Sequence, residues 1–231
     1  MSEAGRRVGK EQRIEVPKTA RYLTLGPTDA TDLWIVLHGY GQLAGRFLRR
    51  FAPIDDETRR IVAPEALSRF YVGNDPGRHG PESVVGATWM TREAREDEIG
   101  DYVRYLDLLA ERVREEAAGE GKREVRLTVL GFSQGVATAA RWTTMGRVTP
   151  QRLILWADFL PPDLDLAAAH RRWEGVEVVL ARGDDDRALG NRQLADEEQA
   201  RIERLGGTVR TIRYAGGHDI EPEPLLELAR S

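Results

Sequence analysis

One serine in this 231-residue sequence has the setting of a nucleophile. Residues 131–135 read Gly-Phe-Ser-Gln-Gly, with Ser133 at the centre. The preceding residues, 125–130, are typical of a buried strand, and the Ala-rich run after Gly135 favours a helix. A serine on a sharp strand-to-helix turn exposes its hydroxyl, and flanking glycines avoid clashes there. We therefore predict that Ser133 is a nucleophile, with simple capping of the helix as the alternative.

A serine hydroxyl is a weak nucleophile at neutral pH, so it needs an imidazole to accept its proton and a carboxylate to orient that imidazole. The sequence has four histidines. His38 and His79 precede the serine motif, and His170 lies in a helix that we expect to face solvent. His218 follows the last predicted strand, in a Gly-Gly-His turn. We predict that His218 is the base, because Ser, acid, His is a known chain order for such a set.

Two aspartates are candidates for the carboxylate. Asp158 and Asp186 each follow a predicted strand, and Asp184 and Asp185 adjoin the second. We prefer Asp186, because the Gly-Asp-x-Asp spacing lets Asp184 brace the turn while Asp186 reaches the imidazole. Three consecutive aspartates could also suggest a metal site, but hard cations need more widely spaced oxygen ligands. We predict no metal and no cofactor.

The developing negative charge of an acyl-transfer intermediate needs at least two backbone N–H donors. The amide of Gln134, directly after the serine, would be one. The loop His38-Gly39-Tyr40-Gly41 follows an apolar run, 33–37, and we expect the Tyr40 amide to be the other. A tight turn alone would also explain the two glycines of this loop.

The elements that must position these groups alternate between strand and helix. This order predicts an α/β fold, a mostly parallel central sheet with helices on both faces. In such a sheet, functional residues gather at the carboxyl ends of the strands, where the candidate residues fall. The predicted strands are 13–16, 20–25, 33–37, 60–63, 125–130, 152–157, 176–181 and 208–214. The predicted helices are 45–51, 92–116, one from 135, 191–205 and 222–230, and 65–91 is expected to be an irregular loop.

Composition excludes several classes of function. The chain has 34 Lys and Arg against 38 Asp and Glu, a net charge of −4, so we expect no nucleic-acid partner. It has no cysteine, which excludes disulfides and thiolate chemistry. No apolar run reaches the roughly 18 residues of a membrane span, and no signal peptide is evident, so we expect a cytoplasmic protein without stable membrane insertion. Residues 1–12 are predicted to be a flexible arm before a single domain, 13–231; a homodimer is left open.

Four motifs together resemble a known family. Leu37-His38-Gly39-Tyr40-Gly41, the Gly-Phe-Ser-Gln-Gly motif, Gly183-Asp184-Asp185-Asp186 and Gly217-His218 occur in this order. They are similar to the phospholipase/carboxylesterase family of α/β-hydrolases, which includes the acyl-protein thioesterases, from about residue 30 to the end. The resemblance implies an α/β-hydrolase fold, Ser133, Asp186 and His218 as a catalytic triad, and the Tyr40 and Gln134 amides as an oxyanion hole.

The segment between Trp156 and Val176 is too short for a separate cap domain, so we expect an open site. Its walls are expected to be aromatic: Tyr40, Phe70, Tyr71, Trp89 and Phe159. The predicted activity is that of a serine hydrolase that cleaves small-molecule carboxylic esters through an acyl-enzyme. An oxygen ester, a thioester and a lysophospholipid all remain open as the substrate, and so does a peptide. The alternative from another class is a hydrolase-fold protein that binds a ligand without turning it over.

Overall fold

The computed structural model describes residues 9–73, 79–121, 123–189, 192–204 and 208–231. Nine strands are present in these ranges: β1 (Tyr22–Leu25), β2 (Asp32–Leu37), β3 (Arg59–Pro64), β4 (Ser68–Tyr71), β5 (Val85–Thr88), β6 (Arg126–Phe132), β7 (Arg152–Trp156), β8 (Glu177–Gly183) and β9 (Thr208–Tyr214). The α-helices there are α1 (Ala44–Leu48), α2 (Arg95–Ala118), α3 (Gln134–Met145), α4 (Leu166–Arg172), α5 (Arg192–Glu203) and α6 (Pro222–Arg230). Short 3₁₀ helices span Arg49–Ile54 and Arg187–Leu189.

Seven strands form the central sheet, in the order β1-β3-β2-β6-β7-β8-β9. Every neighbouring pair is parallel except β1 and β3, which are antiparallel. The serine-bearing connection therefore follows the central strand of the sheet, β6. The prediction of a mostly parallel α/β sheet is confirmed.

Side chains that alternate along each strand build a separate hydrophobic core on each face. In β2, Leu33, Ile35 and Leu37 join the core beneath α2 and α3, whereas Trp34 and Val36 join the core beneath α1 and α6. Strands β6, β7 and β8 alternate in the same way. A strand that is apolar on both faces is typical of a parallel sheet covered by helices. This burial of both strand faces explains the continuous apolar runs of the sequence.

The structure departs from the expected elements in two places. Residues 13–16 form no strand, and Ile14 and Val16 are 87% and 70% exposed. Edge strand β1 begins only at Tyr22, after Pro17, and pairs with β3. Residues 13–16 have no neighbouring strand among those described. The expected loop 65–91 contains β4 and β5, which pair antiparallel as a hairpin. Residues 74–78 at its tip lie outside the described ranges.

Between β7 and β8 the chain holds one short helix, α4, whose Ala169 is buried in the core. Among the described residues, no helix combines the length and the apolar character that a bilayer crossing requires. Helix α2 has 24 residues, but its outer face is charged. The ends of the predicted helix 191–205 and the first eight residues of the expected arm lie outside the described ranges, and the division into an arm and one domain stays a prediction.

Two glycines allow β6 to pass directly into α3. A Cβ on Gly131 would lie 2.2 Å from the carbonyl oxygen of Gly135. A Cβ on Gly135 would lie 2.2 Å from the carbonyl oxygen of Leu37 in β2. Real Cβ atoms do not approach backbone oxygens this closely, so helix α3 can sit against the sheet only when both residues are glycine.

We predict that Gly131→Ala lowers the free energy of unfolding by about 1–3 kcal/mol, because backbone atoms must shift to admit the methyl group. Gly121→Ala is the matched control, since no heavy atom lies within 4 Å of its added Cβ. We expect its stability to stay within roughly 1 kcal/mol of the wild type. Urea denaturation measures both. Equal stability of the two variants would contradict the close contact.

Candidate active site

Ser133 occupies a backbone conformation that non-glycine residues rarely adopt. It lies between the end of β6 and the start of α3, with φ 52° and ψ −122°. Two hydrogen bonds hold this turn: the Ser133 amide donates to the Trp156 carbonyl over 2.9 Å, and the Val136 amide donates to the Ser133 carbonyl over 2.8 Å. The Ser133 side chain makes no capping hydrogen bond to α3. Such strain persists only where the surrounding structure imposes it, and it is typical of functional sites.

A continuous chain of hydrogen bonds joins the three predicted catalytic residues. His218 Nε2 lies 3.0 Å from Ser133 Oγ, and His218 Nδ1 lies 2.9 Å from Asp186 Oδ2. The Asp186 side chain is fully buried, whereas that of His218 is 39% exposed. The second Asp186 oxygen accepts a hydrogen bond from the Ala188 amide over 2.9 Å. A base in contact with a nucleophile, itself oriented by a carboxylate, can activate a serine hydroxyl.

The loops after β8 and β9 bring Asp186 and His218 together. Amides of Asp184 and Asp185 donate to the carbonyls of Tyr214 and Gly216, each over 2.9 Å. A Cβ on Gly183 would lie 2.5 Å from the Gly216 carbonyl oxygen, so the two loops are in close contact.

The residue after His218 fastens its loop to the sheet. The Asp219 carbonyl accepts from Trp156 Nε1 over 2.9 Å, and the Asp219 carboxylate pairs with Arg50. The ring of Phe132 lies 5.1 Å from the imidazole. The position of the imidazole is therefore set by β7, by the 3₁₀ helix after α1 and by the residue before Ser133.

The structure separates the two candidate carboxylates. Asp158 Oδ1 accepts a hydrogen bond from the neighbouring Phe159 amide over 2.8 Å. Burial raises the pKa of Asp158 above its usual value. Among the described residues, the carboxylate hydrogen-bonded to His218 is that of Asp186. The Asp184 side chain points outward and pairs with Arg213 over 2.6 Å. It is the backbone amide of Asp184 that holds the turn, by donating to the Tyr214 carbonyl.

The loop 38–41 lies directly against the serine turn. A Cβ on Gly39 would lie 3.2 Å from Ser133 Cβ, and the Gly41 amide donates to the Ala87 carbonyl over 2.9 Å. Within the described part of the chain, the amides of Tyr40 and Gln134 have no protein acceptor. These are the two donors that the sequence predicts for an oxyanion, and both remain available to a ligand.

His38 supports this loop from inside the protein, a role that the sequence analysis missed. Its Nδ1 lies 2.8 Å from the Gly39 carbonyl oxygen, and its Nε2 accepts from the Ala66 amide over 3.1 Å. This pairing requires the neutral imidazole with its proton on Nδ1. Burial lowers the pKa of His38, which favours the same neutral form. In the sequence, the position of His38 at the end of a fully apolar strand indicates that its side chain is buried.

The side chain of Gln134 is a second missed contribution. Its Oε1 accepts from the Trp89 amide over 3.1 Å, and its Nε2 donates to the Met90 carbonyl over 3.0 Å. Gln134 thus ties the serine turn to the segment after β5. No local sequence pattern predicts this contact, because its two partners are more than forty residues away in the chain.

Comparison with solved structures places this architecture among known folds. The structure is similar to those of esterase PE8 (18% identity, TM-score 0.63, 92% of this chain and 97% of that chain) and Zea mays acyl-protein thioesterase 2 (17%, 0.66, 92% and 97%). It is also similar to a phospholipase/carboxylesterase from Dyadobacter fermentans (15%, 0.63, 94% and 98%). The chain has the α/β-hydrolase fold. No family model matches the sequence, and no curated protein matches it either.

The aromatic residues expected to wall the candidate site lie in different settings. Tyr40 is 62% exposed, and its ring packs against Phe70 at 5.1 Å. Tyr71 is exposed and stacks on His79. Trp89 is a core residue, 2% exposed, whose indole N–H donates to the His38 carbonyl over 2.8 Å. Trp89 therefore supports the loop from within and presents almost no surface to solvent.

Phe159, the fifth expected wall residue, lies at an open groove of about 560 Å³ beside the first turn of α3. The guanidinium of Arg182 lies 4.6 Å from the centre of its ring. Met90, Ala137 and Asp158 also line this groove. Within the described ranges, no group of three or more His, Asp or Glu side chains is placed to hold a metal ion.

The burial of His38 predicts a pH dependence of stability. Because its pKa is lowered in the folded state, the unfolded state binds more protons below the ordinary histidine pKa of about 6.5. Stability is therefore expected to fall as the pH drops from 7 to 5. Urea denaturation across this range should show a smaller pH slope for His38→Gln than for the wild type. His170→Gln, at an exposed position, is the control and should keep the wild-type slope; an unchanged slope in His38→Gln would contradict the assignment.

Proposed function

We propose that this protein is a serine hydrolase that cleaves carboxylic esters through an acyl-enzyme. The observation that carries this proposal is the hydrogen-bonded chain from Ser133 through His218 to buried Asp186. The names of the structural neighbours, an esterase, an acyl-protein thioesterase and a phospholipase/carboxylesterase, support an ester as the bond that is cleaved. The proposal therefore combines the activities in the neighbours' names with the geometry of Ser133, His218 and Asp186 in this chain.

In the first half of the reaction, Ser133 Oγ attacks the ester carbonyl while its proton moves to His218 Nε2. The carbonyl oxygen becomes an oxyanion, and the free amides of Tyr40 and Gln134 are the donors that receive it. His218 then gives its proton to the leaving alcohol as the tetrahedral intermediate collapses. The acyl group remains on Ser133.

In the second half, a water molecule replaces the alcohol. His218 takes its proton, the water oxygen attacks the acyl carbonyl, and the acid leaves as Ser133 regains its proton. Asp186 holds Nδ1–H of the imidazole throughout, so that Nε2 faces the serine. Because the Asp186 side chain is fully buried, its charge acts on the imidazolium with little screening by water.

Oxygen esters, thioesters and lysophospholipid esters pass through the same tetrahedral intermediate, so this geometry serves all three. An oxygen ester is the proposed substrate class, and acyl-thioester and lysophospholipid hydrolysis are the alternatives. A ligand-binding protein without turnover is the rival from another class. The hydrogen-bond contact between His218 Nε2 and Ser133 Oγ argues against that rival.

We expect the wild type to hydrolyse p-nitrophenyl esters with two to twelve acyl carbons, and Ser133→Ala to lose between about 10⁴- and 10⁶-fold in kcat/KM. Release of p-nitrophenolate measures both, and the optimum chain length sizes the acyl site. Labelling of Ser133 by a fluorophosphonate probe is the accompanying test of nucleophilicity. Absence of both labelling and hydrolysis in the wild type would leave the ligand-binding rival as the better explanation.

Replacing each candidate carboxylate tests the role of Asp186. We expect Asp186→Asn to lower kcat on the order of 10⁴-fold, since the amide favours the wrong imidazole tautomer. Asp158→Asn should retain kcat within about tenfold, because Asp158 bonds to its neighbour's amide. The same ester assay measures both. The reverse ranking of the two variants would overturn the assignment of Asp186.

A further inference from the structure

Arginines predominate among the charged side chains of the groove beside the serine turn. The charged side chains that line it are three arginines and one aspartate: Arg92, Arg95, Arg141 and Asp158. The protein as a whole has a net charge of −4, so this cluster opposes the overall balance. A cleft lined by one sign of charge concentrates ligands of the opposite sign.

Arg141 projects from α3 into the floor of the groove and is nearly inaccessible, with a side chain 4% exposed. One of its terminal nitrogens donates to Asp163 Oδ1 over 2.6 Å. Within the described residues, its Nε is buried without any hydrogen-bond partner. A buried guanidinium N–H without an acceptor costs free energy, so an acceptor supplied by a ligand would be stabilising.

The arginines of the groove differ in their pairing with carboxylates. Arg95 donates to the other oxygen of Asp163 over 2.7 Å, so two guanidinium groups share this carboxylate, and the exposed Glu96 lies 4.0 Å from Arg95 Nε. Burial opposes ionisation of Asp163, but hydrogen bonds from Arg141 and Arg95 lower its pKa to about 2, so it is fully charged at neutral pH. Arg92 is exposed, and in the described part of the chain its side chain has neither an ion pair nor a hydrogen bond. Arg92 is therefore the arginine of the groove whose charge no described carboxylate pairs.

Several residues that line this groove are connected to the turn that holds the proposed nucleophile. Ala137, on its wall, is four residues after Ser133 in α3. Met90, which also lines the groove, accepts a hydrogen bond at its carbonyl from the Gln134 side chain over 3.0 Å. Asp158 follows β7, whose Trp156 carbonyl binds the Ser133 amide. A substrate with its ester carbonyl at Ser133 can therefore extend into the groove.

We infer that the groove binds an oxyanion carried by the substrate, so that the preferred esters have a carboxylate or phosphate group away from the bond that is cleaved. This inference rests on the proposed function. The unpaired guanidinium fork of Arg92 suits the two oxygens of such a group, and Arg95 and Arg141, whose terminal nitrogens contact Asp163 and Met90 Sδ, add positive charge beside it. Hydrolysis itself is unchanged: water adds to the acyl carbon, the ester C–O bond breaks, and the anionic group stays intact.

Two matched pairs of esters test the preference and separate its two sources. Monomethyl glutarate against methyl pentanoate exchanges a carboxylate for a methyl group on the acyl side. 1-Acetylglycerol 3-phosphate against 1-acetylglycerol exchanges a phosphate for a hydroxyl on the alcohol side. The measured quantity is the ratio of kcat/KM, anionic over neutral, followed by pH-stat titration. We expect at least one ratio to exceed about ten in the wild type.

Three variants relate the ratio to the groove. Arg92→Gln, at an exposed position, and Arg141→Gln should each lower the ratio several-fold, and Asp163→Asn should raise it by releasing two guanidinium groups. Arg112→Gln, on the exposed face of α2, carries the same change in net charge and should keep the wild-type ratio. Thermal melting checks that Arg141→Gln is folded. If it is not, Arg92→Gln and Asp163→Asn still decide the question.

A binding measurement keeps this inference separate from the proposed function. Isothermal titration of Ser133→Ala with glutarate and with inorganic phosphate should detect binding that Arg92→Gln weakens. Ratios near one in the wild type, or variants that all match Arg112→Gln, would overturn the anion site even if neutral esters are hydrolysed well. If no ester is cleaved but binding follows the arginines, the proposed function fails and the anion site stands.

Discussion

The structure depends on a backbone contact that only glycine permits. Strand β6 turns into α3 so tightly that the carbonyl oxygens of Gly135 and Leu37 occupy the space where Cβ atoms of Gly131 and Gly135 would lie. This contact seats α3 against the centre of the sheet and holds Ser133 at a positive φ. The serine hydroxyl, the free Gln134 amide and the groove wall at Ala137 all take their positions from the same turn.

The second determinant is a set of buried polar groups around the loop 38–41. His38, Trp89 and Gln134 exchange hydrogen bonds with backbone atoms of neighbouring segments, so the loop is held by directional contacts and not by packing alone. Buried polar groups are stable only when they are paired, and each of these has its partner. The amides of Tyr40 and Gln134 are thereby positioned in advance, which is the property that electrostatic stabilisation of an oxyanion requires.

Sequence patterns predict much of this arrangement. Continuous apolar runs indicate strands that are buried on both faces, and the spacing of Gly131 and Gly135 indicates the serine turn. Ser133, His218 and Asp186 could be proposed because each follows a strand at the same edge of the sheet. The Gly-Asp-x-Asp spacing favours Asp186 over Asp158. The hydrogen bond between Asp186 and His218 and the inward role of Trp89 are contacts between distant segments, which local patterns do not encode. The same limit applies to the hairpin of β4 and β5, whose strands have only four residues each and no strong periodicity, and to Arg141, whose sequence setting is that of an ordinary helix arginine.

The proposed nucleophile and its base follow strands that differ in the number of neighbouring strands. Ser133 follows β6, which has strands on both sides, whereas His218 follows β9, which pairs with β8 alone among the described strands. Backbone at the edge of a sheet opens at a lower free-energy cost than backbone at its centre. Separation of the imidazole from the serine therefore requires only local opening of the last strand and its loop. The contact between Ser133 and His218 can therefore be lost while most of the core remains folded, so the proposed hydrolysis is expected to be a more sensitive measure of damage than loss of secondary structure.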